Sequence, residues 1–327
     1  MEPTSKIYIA GHMGMMGSAF LRQLQARGQT HILTRTRREL DLTNQAAVQG
    51  FFENEKPDYV FVAAAKVGGI MANATYPADF IYQNLAIQTN ILHAAYLTGV
   101  KRVLFLGSVC IYPKHCPQPI KEDYLLTGAL EPTNEPYAIA KIAGLKMCEA
   151  YNRQFGTQYL CAMPTNLYGS GDNFNLETSH VLPALIRKFH ELKVSGTPVT
   201  LWGTGQASRE FLHVDDCANA CLFLMDLDPE RFQTLLEYHA GPLVNVGSGE
   251  DISIRGLAEM IKELIGASGQ INWDSTKPDG TPKRKLDITR LHALGWQPNI
   301  SLSNGIKMTY DWYLRHDTPG QLMEAHS

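Results

Sequence analysis

Tyr137 and Lys141 stand four residues apart in the stretch Tyr137-Ala138-Ile139-Ala140-Lys141. On a helix this spacing puts both side chains on one face, about one turn apart. An ammonium beside a phenol favours the phenolate and lowers the tyrosine pKa. A tyrosine tuned in this way can give a proton to a carbonyl oxygen as hydride arrives at the carbon. Ser108, upstream, can hydrogen-bond the same oxygen. Taken alone, the pair reads better as an ordinary exposed helix pair. It gains meaning from a glycine-rich loop near the start of the chain and a serine placed after an internal strand.

Those side chains need a frame, and the chain writes one in alternating β and α patterns. Residues 6–10 are short, apolar and β-prone, which predicts a buried first strand. The loop Gly11-His12-Met13-Gly14-Met15-Met16-Gly17 follows, then a helical stretch over 18–27. Gly11, Gly14 and Gly17 in G-x-x-G-x-x-G spacing between a strand and a helix suit a dinucleotide, whose pyrophosphate sits at the helix N-terminus. A second strand is predicted over 30–33, and arginines follow it: Arg35, Arg37 and Arg38. An NAD site usually carries an acidic residue here for the ribose 2′-hydroxyl. Guanidinium forks suit a 2′-phosphate instead, so the cofactor is predicted to be NADP, with Arg35 first and Arg37 or Arg38 second. A solvated basic turn is the plain alternative. Asp41 and Leu42 are placed to contact the adenine, and Thr43 is expected to cap a helix to about residue 54.

A third strand is predicted over 58–62. The small residues of 63–70, with Ala64 and Ala65 among them, are expected to close over the cofactor path. A long helix over 77–97 and a fourth strand over 102–106 come next. Ser108 and Cys110 then lie beyond a strand's carboxyl end, where open α/β sheets bind ligands. Pro136 suits a helix start, and the Tyr137 helix is expected to reach about 155. A fifth strand over 159–163 leads through Pro164, Asn166 and Leu167 toward the nicotinamide and the sugar. Later pieces are a helix from His180 to 191, a strand over 199–203, a stretch over 208–216 that leads into another helix, a return to the main sheet at 244–247, a helix over 254–265, a basic loop over 277–285 and a last helix over 301–314. The expected fold is α/β, a Rossmann doubly wound parallel sheet with a smaller C-terminal substrate-binding lobe. Residues 1–170 with 211–247 are assigned to the NADP-binding domain, and 171–210 with 248–327 to the lobe. Lys188, Arg209 and the basic residues at 283–285 would suit a diphosphate, ordinary solvated charge being the alternative.

Composition narrows the class. The chain has 327 residues, 44% hydrophobic and 19% charged, which marks an ordinary globular protein rather than a disordered one. A net charge of -3 argues against bulk nucleic-acid binding. No apolar run is long enough to span a membrane, and the start of the chain lacks an apolar signal region. Six cysteines without C-x-x-C pairs read as free thiols in a reducing, cytoplasmic compartment. Cys217 and Cys221 can share a helix face as core residues, and no metal site is expected.

Together these residues carry a resemblance over nearly the whole chain. The glycine loop, Ser108 and Tyr137-x-x-x-Lys141 resemble the extended short-chain dehydrogenase/reductase superfamily, which acts on nucleotide sugars. More narrowly, AAAKVGGI at 63–70, SVCIYPK at 108–114, LEPTNEPYAIAKIAG at 130–144, MPTNLYG at 163–169, SHVLPALIRKFH at 179–190, REFLHVDD at 209–216 and PDGTPKRKLD at 278–287 resemble the GDP-L-fucose synthase family. The resemblance implies that Ser108, Tyr137 and Lys141 form the reductase triad and that Cys110 and His180 move protons at C3 and C5 of a 4-keto sugar. It implies NADPH contacts at Gly11, Met13, Gly14, Met15, Met16, Gly17, Arg35, Arg37, Asp41, Leu42, Ala64, Ala65, Tyr137, Lys141, Pro164, Asn166, Leu167 and His180. It implies substrate contacts at Ser108, Val109, Cys110, Asn166, Lys188, Trp202, Arg209, Lys283 and Arg284. Three positions depart from the family pattern. Met13 stands where an Arg helps hold the 2′-phosphate, Val109 replaces a Ser, and Lys188 replaces an Arg, so a point charge stands in for a bidentate fork.

The implied reaction is epimerisation of GDP-4-keto-6-deoxy-D-mannose at C3 and C5, followed by NADPH reduction at C4, in a homodimer. Protons at C3 and C5 are acidified by the 4-ketone. Cys110 suits the base if a cation or dipole stabilises its thiolate, His180 suits the acid, and Tyr137 with Ser108 can hold the oxyanion. Two other readings stay open at this level: a related GDP-keto-sugar epimerase-reductase of colitose or heptose type, and a catalytically silent NADP-binding regulator. His12 and His213 are read as structural.

Overall fold

The computed structural model describes residues 1–196, 198–277 and 279–316. Pro278 of the basic loop and the last residues of the expected lobe, 317–327, lie outside them. The main sheet is built from β1 (Ile7–Ala10), β2 (Ile32–Thr34), β3 (Tyr59–Val62), β4 (Arg102–Leu106) and β5 (Tyr159–Pro164), with helices between them: α1 (Met15–Ala26), α2 (Gln45–Glu55), α3 (Ile70–Thr75), α4 (Pro77–Leu97) and α5 (Glu135–Phe155). The chain then makes β6 (Asn166–Tyr168), α6 (Val181–Ser195), β7 (Val199–Trp202), β8 (Ser208–His213), α7 (Val214–Asp226) and α8 (Pro229–Leu236) before β9 (Leu243–Val246) returns to the sheet. It ends with β10 (Asp251–Ser253), α9 (Ile254–Ile265), β11 (Ile271–Asp274), β12 (Lys283–Arg284), α10 (Thr289–Ala293) and α11 (Leu302–His316).

The six main strands run in the order β2-β1-β3-β4-β5-β9, all parallel. Side chains alternate between the faces, as a period of two requires. Ile7, Ile9, Phe61, Leu104 and Leu160 enter a core with α1 and α7. Tyr8, Val60, Val62, Phe105 and Cys161 enter a core on the other face, with residues of α2, α4 and α5. Covered on both faces, the strands read as apolar runs, which is why they were legible. The chain leaves β1 toward β2 and then crosses to β3 on the other side of β1. The strand order reverses there, and a crevice opens beyond the carboxyl ends of β1 and β3.

The remaining strands pair apart from the main sheet. β8 is flanked by β10 and β12 and also pairs β6, while β7 pairs β11. Their core includes Leu182, Ile186, Phe189, Leu257, Ile261 and Tyr313. The Glu210 carboxylate is buried on β8 and accepts from the backbone N–H of Gly249 and of Leu286, both at 2.7 Å. One carboxylate thus ties β8 to the segments before β10 and after β12.

Local expectations differ in a few places. Asn44, not Thr43, caps α2: its side-chain oxygen accepts from Ala47 N–H, while the Thr43 hydroxyl donates to Asp41. The second strand lies two residues late because the ladder begins at Ile7↔Ile32, and Thr30 reaches instead to the Pro3 carbonyl. Elements α3, β6, β8, α8, β10, β11, β12 and α10 went unread. Of the strands among them, β6, β10 and β12 are two or three residues long, too short to show a period.

Candidate active site

The glycine loop sits at the switch point. Gly11 has φ +85°, and a Cβ there would meet the Ala64 backbone at 2.7 Å. A Cβ on Gly17 would collide with the Gly11 carbonyl. Both positions therefore need glycine, one for its dihedral and close approach and the other for clearance. Gly14 is the N-cap of α1 and has no side-chain cap, so the first-turn N–H groups stay free for an anion. Met16 is buried in the core and can offer a ligand only its backbone; Met13 is 63% exposed. Ala64 lies against Gly11, and Ala63 N–H donates to Ala10 carbonyl at 3.0 Å.

The 63–70 loop is pinned from below. Buried Asn84 accepts from Lys66 N–H and donates to the Lys66 and Phe80 carbonyls, and Asn73 donates to those of Gly68 and Gly69. Gly69 N–H donates to Thr178 carbonyl at 3.3 Å, which joins this loop to the one leading to His180. Neither asparagine was singled out from sequence. Asn84 and Gln88, polar residues one turn apart among the apolar residues of one helix face, are the signal that could have found Asn84.

The arginines after β2 divide. Arg35 is engaged by Glu55 at 2.8 Å and by the Thr34 carbonyl, with its guanidinium 5.1 Å over the Phe51 ring. Arg37 is exposed and forms no ion pair among the described residues; its charge helps hold the Asp41 carboxyl low, after the hydrogen bonds from Thr43. Asp41 is thus occupied in a turn, and Leu42 offers its carbonyl to Asn90. Desolvation lowers the His12 imidazole pKa, with the Glu39 charge and the Arg35 backbone opposing it.

The structure brings Ser108, Cys110 and Tyr137 together. Ser108 ends the extended backbone after β4; its hydroxyl accepts from Cys110 N–H at 3.3 Å and helps hold down the pKa of the nearby Tyr137 phenol. Tyr137 opens to the cleft on one side and packs edge-on against Phe80. Lys141, one turn on, is buried; its ammonium donates to the Leu106 carbonyl at 2.8 Å and lies 5.9 Å from the Tyr137 ring centroid. The expected lowering of the tyrosine is reversed here. Burial pushes the Tyr137 phenol up, with Cys110 adding to the rise and Ser108 opposing it. Burial also brings Lys141 down to about 8. Desolvation is the largest influence on both groups.

Asn134, which sequence reading missed, donates from Nδ2 to the Cys110 sulfur at 3.1 Å. Its place three residues before Tyr137, at a helix start, was the available signal. His180 is the N-cap residue of α6, open to solvent on one side and walled by protein on the others, and that desolvation lowers its imidazole pKa. Pro164 closes β5, Leu167 sits in β6, and Asn166 donates to the Glu210 carbonyl at 2.8 Å.

The cations predicted for a diphosphate also divide. Arg209 and Arg284 are paired across the β8–β12 ladder, and neither forms an ion pair among the described residues. Burial lowers the Arg209 pKa and the neighbouring Arg284 charge adds to it. Arg284 donates to the Val109 carbonyl at 3.2 Å, inside the Ser108–Cys110 turn. Lys283 is drawn to Asp251 at 2.9 Å. Lys188 reaches the Thr200 carbonyl at 3.2 Å, and Trp202, two residues along β7, leaves 67% of its surface exposed. Among the described residues no cluster of His, Cys, Asp or Glu could hold a metal ion, and no helix is long and apolar enough to cross a membrane.

The family model described as "NAD dependent epimerase/dehydratase family" matches residues 7–234. GDP-L-fucose synthase 1 of Arabidopsis thaliana is 57% identical over 96% of this chain and 95% of its own length. GDP-L-fucose synthase of Escherichia coli K12 is 54% identical over 95% of this chain and 97% of its own. Among solved structures, a GDP-mannoheptose C4 reductase from Campylobacter jejuni with NADP bound superposes with a TM-score of 0.87 at 41% identity, covering 96% of this chain and 99% of that one. A switch-point glycine loop, a serine beside the tyrosine with lysine behind it and these full-length matches agree: the chain belongs to the NAD dependent epimerase/dehydratase family and, within it, to the GDP-L-fucose synthases.

Proposed function

We infer that the chain converts GDP-4-keto-6-deoxy-D-mannose to GDP-L-fucose, epimerising C3 and C5 and then reducing the C4 ketone with NADPH. The observation that carries this reading is a thiol inside a reductase site: Cys110 lies in the same turn as Ser108 and next to Tyr137. A ketone reductase alone has no use for such a thiol; a 4-keto sugar with acidic neighbouring protons does.

The residues divide the work by their protonation. A Cys110 thiolate takes the proton from C3 or C5: the C–H bond breaks, an S–H bond forms, and the electron pair moves onto the C4 oxygen as an enolate. His180 is proposed to return a proton on the opposite face. Ser108 and Tyr137 direct hydroxyl groups at the C4 oxygen, which gathers negative charge in both half-reactions. The raised pKa of Tyr137 keeps the phenol protonated and ready to donate at neutral pH. Lys141, near 8, carries its charge behind it.

NADPH supplies the hydride for C4 when bound. The chain fits it: the uncapped start of α1 and the clearances at Gly11 and Gly17 suit a pyrophosphate. Arg37 is the freer cation for the 2′-phosphate, and Arg35 would share its charge with Glu55. The proposed diphosphate contacts are Arg209 and Arg284, with the exposed Trp202 ring offered to the guanine. The division into an NADP-binding domain (1–170 with 211–247) and a substrate lobe is likewise proposed, as is a cytoplasmic location. A homodimer is proposed through α4 and α5, which expose Tyr82, Leu97, Ile139 and Phe155; a monomeric mass in light scattering at micromolar protein would refute it.

Incubation with GDP-4-keto-6-deoxy-D-mannose and NADPH in D2O tests the activity. GDP-L-fucose carrying deuterium at C3 and C5 is the expected product. Deuterium at a single carbon would move the substrate to a colitose- or heptose-type keto sugar, and absent turnover with NADPH bound would reject the reading.

A further inference from the structure

Asn134 is the N-cap residue of α5, where an asparagine ordinarily turns its side chain on the helix's own free N–H groups. Here it forms no such cap. Pro136, at the second helical position, has no N–H, which removes one of the two usual targets. The side chain reaches instead to the turn after β4, and Nδ2 donates to Cys110 Sγ at 3.1 Å. Its Oδ1 is buried without a partner among the described residues. The helix that carries Tyr137 and Lys141 thus begins with an amide turned onto a thiol.

We propose that Asn134 is a positioning residue for Cys110: its N–H holds the sulfur as an acceptor, which favours the thiolate and fixes the sulfur beside Tyr137. The sulfur of a thiolate accepts far better than that of a thiol, whose own S–H would seek an acceptor such as Oδ1. The other titratable and charged groups at this turn are Tyr137 from α5 and Arg284 from β12, with the Lys114–Glu131 pair beside the start of α5. Asn134 is the neutral donor among them, so its removal changes the thiol without deleting a charge.

The bond to sulfur stands apart from the proposed function; its consequence for turnover rests on that reading. The test is alkylation of Cys110 by iodoacetamide in the ligand-free enzyme, followed by peptide mass spectrometry across pH 5–10, in the parent protein, Asn134→Ala and Asn134→Asp. The midpoint for Cys110 is expected to rise by about one pH unit in the alanine variant and further in the aspartate variant, whose carboxylate faces the sulfur. Deuterium entry at C3 and C5 should fall by roughly tenfold or more, with NADPH binding retained. Asn134→Asp is nearly isosteric and carries the test if the alanine variant misfolds. A midpoint that stays in place or falls in the folded variants overturns the proposal. A midpoint that rises, in an enzyme whose parent form never exchanges deuterium, keeps the proposal and rejects the activity.

Discussion

Replacing Lys141 by methionine should stabilise the ligand-free protein while destroying its reductase activity. Lys141 is buried, and its pKa stands at about 8 against an ordinary 10.5. At about 1.4 kcal/mol per pH unit, holding the ammonium there costs roughly 3 kcal/mol at pH 7. Methionine has a similar reach and no charge, but it leaves the Leu106 carbonyl without its donor, a loss of about 1 kcal/mol. The net gain is about 2 kcal/mol, or a melting temperature higher by roughly 4 °C. The sign reverses the usual lysine case. The folded pKa lies below the unfolded one, so the penalty is full below about pH 8, fades between 8 and 10.5 and is gone above. Thermal melts of both proteins at pH 7 and pH 10 therefore read the effect directly, because every other titration is shared. Reduction at C4 should fall by about a hundredfold or more. A variant that melts below the parent at pH 7, or a difference that is the same at both pH values, would sink the argument that desolvation governs this lysine.

Three further outcomes follow from the site. Gly17→Ala drives a methyl into the Gly11 carbonyl, and NADPH affinity by fluorescence titration should drop at least tenfold while the fold persists. Arg209→Ala should raise KM for the nucleotide sugar by about tenfold to a hundredfold with a smaller change in kcat, and an unchanged KM would move the diphosphate elsewhere. His180 is held below its ordinary value by desolvation. As an acid it works when protonated, so deuterium entry at C3 and C5 should slow as pH rises, with a midpoint below the ordinary imidazole value; a rate flat from acid to neutral pH would remove His180 from the role.

Much of the molecule was legible because its strands are covered on both faces and its helices start with strong signals. Pro77 and Pro136 each stand in the first turn of a long helix, and the predicted ranges of both match the observed ones. The return of 244–247 to the sheet was also readable, as a lone apolar strand late in the chain. What sequence could not give was how each charge is spent between neighbours. Arg35 looked like the first cation for a phosphate, yet Glu55, twenty residues away, binds it. Lys283 and Arg284 look alike in a basic loop, but the pairing of β12 with β8 turns one toward Asp251 and the other toward the Val109 carbonyl. The Tyr–Lys spacing was right about the shared helix and wrong about which force sets the phenol, because burial is a property of the whole fold. Asn134 was overlooked since its contact spans twenty-four residues and involves sulfur.

The bond from Arg284 to Val109 carries a consequence for how the sugar is chosen. On the proposed placement of the diphosphate at Arg284, a guanidinium that also donates to a backbone carbonyl of the thiol's own turn would link the two ends of the substrate mechanically. Anchoring at the nucleotide end then steadies the groups that work at C3, C4 and C5. A free keto-deoxy sugar, even at saturating concentration, meets a looser set of groups and reacts more slowly, since remote binding lowers the barrier as well as the dissociation constant. The nucleotide thereby acts as a credential: an unactivated cellular ketone that drifts into the cleft finds the reductase incompletely assembled.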